Sequence, residues 1–267
     1  NRAGIISKLE KPLAIEHLEE IVHLSDAIMV ARGDLGVEMP PEEVPSIQKR
    51  IIRCCRMAGK PVVVATQMLD SMVKSPTPTR AEASDVATAI YDGADAVMLS
   101  AESASGDYPL ESVTIMDRII THVEQDPFYR KMQEAGLPEP ESTSSDAITA
   151  AARQVAHTIQ AAAIVTFTTT GTTTLRAARE RPESPILALT PELTIARKLT
   201  LVWGVHSVKS QEVNRFSEAV NNACVMAEKE GFAQMNDSIV VTAGLPFRVA
   251  GSTNILRIAN IKALPDQ

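Results

Sequence analysis

Four short runs rich in β-branched residues recur between Gly4 and Leu99, each followed by an amphipathic helical stretch. The runs are Gly4 to Leu9, Ala27 to Ala31, Pro61 to Thr66 and Ala94 to Leu99. The helical stretches are Ala14 to Leu24, Val44 to Met57, Arg80 to Tyr91 and Leu110 to Glu124. A strand that is apolar along its whole length is buried on both faces, so the pattern predicts β-α units on a parallel sheet. Gly59 and Gly93, just past two of the helices, read as stops, since glycine takes the left-handed conformation without a Cβ penalty. Each strand ends on polar residues: Lys8 and Glu10, Arg32 and Asp34, Thr66 and Gln67, Ser100 and Glu102. In parallel α/β architectures ligands collect at that edge. A single unit of this kind is explained by a strand end reaching solvent; four in succession predict a site.

The stretch from Gly136 to Ser145 is polar and punctuated by Pro138 and Pro140, and it reads as a linker. The expected domains are therefore 1–136 and 146–267. In the second, helices from Asp146 to Ile159, Thr173 to Glu180, Glu192 to Leu201 and Arg215 to Glu230 are expected. They alternate with strands from Ala163 to Phe167, Pro185 to Thr190 and Val205 to Val208, closed by Ser238 to Thr242 and Ile255 to Ile261. An open, mostly parallel sheet with helices on both faces follows. A length of 267 residues accommodates two domains.

Composition narrows the partners. A net charge of −7 disfavours nonspecific nucleic-acid binding, which needs a basic face. No apolar run approaches the roughly 20 residues that cross a bilayer. Three cysteines, Cys54, Cys55 and Cys224, cannot all pair within the chain, so reduced thiols and a cytoplasmic location are expected. The chain begins Asn1-Arg2 without an initiating Met, which suggests a fragment or a processed chain. His17, His23, His122, His157 and His206 have no metal-ligand spacing and read as surface or cap residues. Met68, Met72, Met98 and Met116 read as core filling and Trp203 as packing.

Glu10 and Asp34 end neighbouring strands and can offer hard oxygen ligands to Mg²⁺ or Mn²⁺. Lys8 lies two residues before Glu10 and points to the same face of its strand, which sets a cation beside such a metal. A metal with a lysine suits phosphoryl transfer, where the protein positions reactants and neutralises developing charge. Taken alone, Lys-x-Glu on a strand is more often a surface ion pair. Arg32-Gly33-Asp34-Leu35-Gly36 reads either as a glycine loop exposing N–H groups to an anion or as a tight turn capped by Asp34. Thr168-Thr169-Thr170-Gly171-Thr172-Thr173-Thr174 lies between an apolar strand and a helix. It reads either as a phosphate pocket at a helix N-terminus or as a threonine-rich cap without a ligand.

Several long motifs then fall in register. Ile28 to Glu38, Gly59-Lys60-Pro61, Ala65 to Leu69, Pro78 to Glu82, and Asp95 to Ser100 with Glu102 resemble those of the pyruvate kinase family in order and spacing. The resemblance covers essentially the whole chain, most closely up to about residue 118. It implies the second half of a (β/α)₈ TIM barrel followed by an α/β effector domain. Lys8 matches the family lysine that stabilises the transferring phosphoryl group and the enolate, and Glu10 and Asp34 match the divalent-metal ligands. Gly33 and Asp34 match contacts to the substrate carboxylate, and Thr66 matches the threonine near the carbon that gains a proton. Ser100 and Glu102 match polar residues of a proton relay; the chain reads Ser100-Ala101-Glu102-Ser103 where many relatives have Gly and Thr at the second and fourth places.

The implied reaction is phosphoryl transfer from phosphoenolpyruvate to ADP, giving pyruvate and ATP in glycolysis. Mg²⁺ or Mn²⁺ and K⁺ assist it, the K⁺ ligands lying outside this chain. Also implied are a homotetramer and a phosphorylated allosteric effector bound at Thr168, Thr169, Thr170, Gly171, Thr172 and Thr173. A basic residue common in that loop among fructose-bisphosphate-sensitive relatives is replaced by Thr169, which leaves open a different phosphorylated sugar, a nucleotide, or an unused site. A closed barrel needs about eight strands and four are visible. The missing half, with a phosphate-binding arginine and a lid, is expected to precede residue 1 or to come from another chain. Two competing expectations remain: a non-catalytic effector-binding and oligomerising fragment, and a metal-dependent lyase or aldolase of enolate chemistry.

Overall fold

A computed structural model describes residues 3–213, 215–247, 249 and 251–262. The last five residues of the expected second domain lie outside that set. The chain divides into two compact units, Asn1–Gly136 and Leu137–Gln267.

The first unit carries a parallel sheet of β1 (Ile6–Leu9), β2 (Ala27–Ala31), β3 (Val62–Ala65) and β4 (Ala96–Val97), in that spatial order. Sequential order means each crossover returns to the adjacent position, the winding of a β/α barrel. β2 and β3 are apolar throughout, and Ile28, Val30, Val62 and Val64 meet α4 (Val44–Ala58) in a core with Ile51, Ile52 and Cys55. Gly59 ends α4 at φ 63°, the left-handed stop expected there. α5 (Arg80–Tyr91) starts in a capping box, in which Thr79 Oγ1 accepts from Glu82 N and the Glu82 carboxylate accepts from Thr79 N. Glu82 also receives the N–H and hydroxyl of Ser71, tying α5 to a 3₁₀ turn at Asp70–Val73.

The structure departs from the sequence reading in four places here. The first helical stretch is two helices, α1 (Pro12–Glu16) and α2 (Leu18–Leu24), which meet at His17. Arg32–Glu38 forms a helix, α3, rather than a glycine loop or a capped tight turn, and neither Gly33 nor Gly36 has a positive φ. β4 keeps only two residues of the expected six. Short helices α6 (Ala101–Ala104) and α8 (Pro127–Ala135) flank α7 (Pro109–Glu124). Met68, Met72 and Met116 fill the core, whereas Met98 is half-buried.

The second unit begins with α9 (Ser144–Thr158) and continues through β5 (Ala163–Phe167), α10 (Thr172–Arg179), β6 (Ile186–Thr190), α11 (Leu193–Leu199), β7 (Val205–Lys209) and α12 (Phe216–Lys229) to β8 (Ser238–Gly244) and β9 (Thr253–Asn260). The spatial order is β7-β6-β5-β8-β9. All pairs are parallel except β8 with β9, which form an antiparallel edge with a register shift at Ala243 and Gly244. α12 packs Ala219, Ala223 and Ala227 against this sheet, small residues that let helix and strands approach closely. Asp146, wholly buried at the start of α9, accepts from Arg176 and Arg179 of α10 and from the Glu141 N–H. Trp203 lies half-buried with the Arg181 guanidinium 4.9 Å from its ring centroid, a cation–π contact. All five histidines are exposed. Among the described residues no helix is long and apolar enough to cross a membrane.

Candidate active site

The C-terminal edge of the first sheet gathers the charged strand ends. Lys8 leaves β1, and its Nζ lies 2.6 Å from Glu10 Oε2 and 2.7 Å from Asp34 Oδ2. Asp34 comes from the first turn of α3, directly after β2, and the two strands pair Lys8 with Met29. Parallel register therefore brings the ammonium and both carboxylates to one point. All three groups remain open to solvent, with side chains 48%, 33% and 51% exposed for Lys8, Glu10 and Asp34. Hydrogen bonds from Lys8 to Asp34 and Glu10 push the lysine well above its ordinary range. The same Lys8 bond holds the Asp34 carboxyl below its usual value. A second cation, Lys11, bonds Glu38 at 2.5 Å and fastens the far end of α3 to the loop after β1.

The donor chemistry fits a hard divalent cation. Two carboxylates lie within 2.7 Å of one atom, Lys8 Nζ, so both can reach a common ion. Mg²⁺ is commonly held by one or two carboxylates, with waters and substrate oxygens completing its shell. Among the described residues no group of three or more acidic, histidine or cysteine side chains assembles to hold a metal.

Thr66 completes the edge in an unusual backbone state. Thr66 and Gln67 both have positive φ, 69° and 54°. For residues with a Cβ this costs roughly 1–2 kcal/mol each, and such strain concentrates at functional sites. The Thr66 hydroxyl accepts from Gly33 N at 2.8 Å and donates to Ala65 O at 2.6 Å. A Cβ on Gly33 would stand 3.3 Å from Thr66 Oγ1, a tight contact that would press on the threonine hydroxyl. Arg32, noted in the sequence only as a strand-end charge, donates from Nη2 to Thr66 O at 2.9 Å and from Nη1 to Asp85 Oδ1 at 2.5 Å. Nothing in local spacing signals that contact, because Asp85 lies 53 residues away on α5.

Glu102 is 2% exposed, and its two oxygens accept from Leu69 N at 3.1 Å and Ser100 N at 2.7 Å. It thus ties the loop after β3 to the loop after β4. Ser100 sits half-buried at the start of α6.

In the second unit, the threonine-rich loop lines a cleft of about 600 Å³, its open mouth included. Thr168 Oγ1 accepts from Gly171 N at 2.8 Å, closing the turn that starts α10, with Gly171 at φ 93°. The Thr170 and Thr172 hydroxyls bond each other, and Thr173 bonds Thr253 at 2.8 Å. Thr168, Thr169, Thr170, Thr172 and Thr173 line the cleft with Ser252, Thr253 and Phe247 from the far wall, which the sequence reading missed. Among the described lining residues there is no lysine or arginine.

A parallel β-α unit with a lysine, two carboxylates and a threonine at its C-terminal edge, followed in sequence by a second α/β unit, defines an α/β protein of the β/α-barrel class. The family model for the pyruvate kinase barrel domain matches residues 1–113, and that for the pyruvate kinase alpha/beta domain matches residues 146–259. A pyruvate kinase of Agrobacterium vitis is 58% identical over 97% of this chain and 54% of its own length. One from Methylorubrum extorquens is 52% identical over 97% and 54%. The crystal structure of a pyruvate kinase from Cryptosporidium parvum superposes with a TM-score of 0.88 at 38% identity, covering 97% of this chain and 51% of that one. The chain belongs to the pyruvate kinase family. It spans about half the length of the curated relatives it matches.

Proposed function

We propose that residues 1–136 supply part of a pyruvate kinase active site and that residues 146–267 form its effector domain. The observation that carries the reading is the convergence of Lys8 on Glu10 and Asp34 at 2.6 and 2.7 Å, beside the hydroxyl of Thr66. In the proposed reaction the bond from phosphorus to the enol oxygen of phosphoenolpyruvate breaks and a bond to a terminal oxygen of ADP forms. The enolate then takes a proton at its methylene carbon, giving pyruvate. Lys8 faces the negative charge that moves between these oxygens, and a preorganised ammonium at that point lowers the barrier without reorganisation. Mg²⁺, held by Glu10 and Asp34, would neutralise phosphoryl and enolate oxygens. Gly33 and Asp34 orient the substrate carboxylate, and Thr66 stands where the proton arrives. Ser100 and Glu102 serve the proton path, with Glu102 fixing the loop that bears Ser100. K⁺, the lid and a phosphate-binding arginine belong to the part of the relatives that this chain does not span.

For the second unit the proposal is a phosphorylated effector in the threonine-lined cleft, a sugar phosphate or a nucleotide. A homotetramer and a cytoplasmic, glycolytic role complete the reading. Pyruvate release from phosphoenolpyruvate and ADP tests it, measured for this chain alone and for a polypeptide extended to the relatives' length. The extended polypeptide is expected to turn over only with ADP and a divalent metal, and this chain alone to be inactive. Inactivity of both at saturating Mg²⁺ would favour the purely effector-binding alternative, and turnover without nucleotide would favour a lyase or aldolase.

A further inference from the structure

We infer that Arg32 is the positioning residue for Thr66, holding two consecutive residues in the left-handed region so that the threonine hydroxyl meets the Gly33 amide, next in the chain to Asp34. The Thr66–Gln67 segment does not fold this way by preference, since a β-branched residue at positive φ is a genuine outlier and a second follows it. Something outside the segment must hold it. Arg32 Nη2 donates to Thr66 O at 2.9 Å and reaches Gln67 O at 3.5 Å and Met68 Sδ at 2.9 Å, so one nitrogen spans three successive residues. Its other nitrogen is anchored on Asp85 at 2.5 Å, and the side chain is only 11% exposed. A lysine could keep the ion pair, but its single ammonium lacks the rigid fork that serves Asp85 and the strained carbonyl together.

Gly33, next in the chain, reports on this arrangement. It is the second residue of α3, where backbone N–H groups have no partner inside the helix. Its N–H instead donates to Thr66 Oγ1 at 2.8 Å. The two neighbours on α3 therefore grip Thr66 from both sides, Arg32 through the carbonyl and Gly33 through the hydroxyl. The catalytic consequence rests on the reading of Thr66 as a substrate contact; the structural consequence does not.

The test uses hydrogen exchange at the Gly33 amide of this chain together with kinetics of the extended polypeptide. Arg32→Lys is expected to accelerate Gly33 exchange roughly tenfold, the equivalent of one lost hydrogen bond, while amides of β2 and α4 keep their protection. Gln67→Gly, which removes the steric penalty at that position, is expected to restore protection in the Arg32→Lys background. Should Arg32→Lys not fold, the same comparison is made with Arg32→Gln. Unchanged Gly33 exchange in the folded variant, or no rescue by Gln67→Gly, overturns the inference. In turnover, Arg32→Lys is expected to lower kcat on the order of 10²-fold, the scale of an ångström misplacement, with a smaller change in KM. It should add almost nothing once Thr66→Ala is present. A normal rate for Thr66→Ala would refute the role of Thr66 and leave the exchange result standing; additive losses would refute the action of Arg32 through Thr66.

Discussion

Lys8 is shared between two carboxylates in this structure, so its removal and theirs have different signatures. Lys8→Ala in the extended polypeptide is expected to cut kcat by about 10²-fold or more, the usual loss for a preorganised donor, with little change in the Mg²⁺ concentration for half-maximal rate. Asp34→Ala is expected to raise that Mg²⁺ concentration. A metal titration on each variant checks both, and near-normal turnover by Lys8→Ala would remove the role given to it. The strand-end position of these residues was legible, because period-two alternation fixes the face on which Lys8 and Glu10 lie. The backbone state of Thr66 was not, since nothing in Ala65-Thr66-Gln67 favours positive φ; it is imposed by Arg32 and by the closeness of Gly33.

Elements were read well where periodicity ran long and poorly where glycine or brevity interrupted it. α4 and α5 begin where the sequence places them, at Val44 and Arg80. α3 was hidden by two glycines that usually argue for a turn. In α3, Gly33 serves close packing against Thr66 rather than a left-handed backbone. β4 is short because only Ala96 and Val97 pair in register with β3, Asp95 and Met98 on either side each giving β3 one backbone N–H. The start of α10 supports a test of its own. Thr170→Glu or Thr172→Glu would bring a carboxylate to a cleft meant, on the proposed reading, for an anion. Activation of the extended polypeptide by sugar phosphates or nucleotides should disappear while basal turnover stays; unchanged activation would make the loop a helix cap only.

Across the whole chain, the units Asn1–Gly136 and Leu137–Gln267 each carry a core of their own, all but Gly136 of the stretch read as a linker falling within the second. The second unit's dependence on acid follows from Asp146. Burial pushes its carboxyl up, but Arg179, the Glu141 N–H and Arg176 outweigh this and hold it below the usual range. A depressed carboxylate contributes stability that is full above the unfolded value, roughly 3.9, and is lost as pH falls through the lower folded value. Trp203, the single tryptophan, lies in this unit and reports its urea unfolding. The fluorescence midpoint is expected to fall steeply below about pH 4. Asp146→Asn should remove much of that acid dependence and cost about 3 kcal/mol or more at pH 7, as when one partner of a buried ion pair is deleted. An unshifted midpoint in the variant at pH 7 would contradict the importance of the clasp.

The antiparallel edge of the second sheet carries a further consequence. Phe247, Ser252 and Thr253 reach the cleft from the connection between β8 and β9 and the first residue of β9, whereas β5, β6 and β8 contribute only Phe167, Leu189 and Gly244, at or next to their C-terminal ends. On the proposed reading of the cleft, substitutions in that connection would alter which phosphorylated ligand is received, while the parallel pairs of β5 with β6 and β8 keep their register.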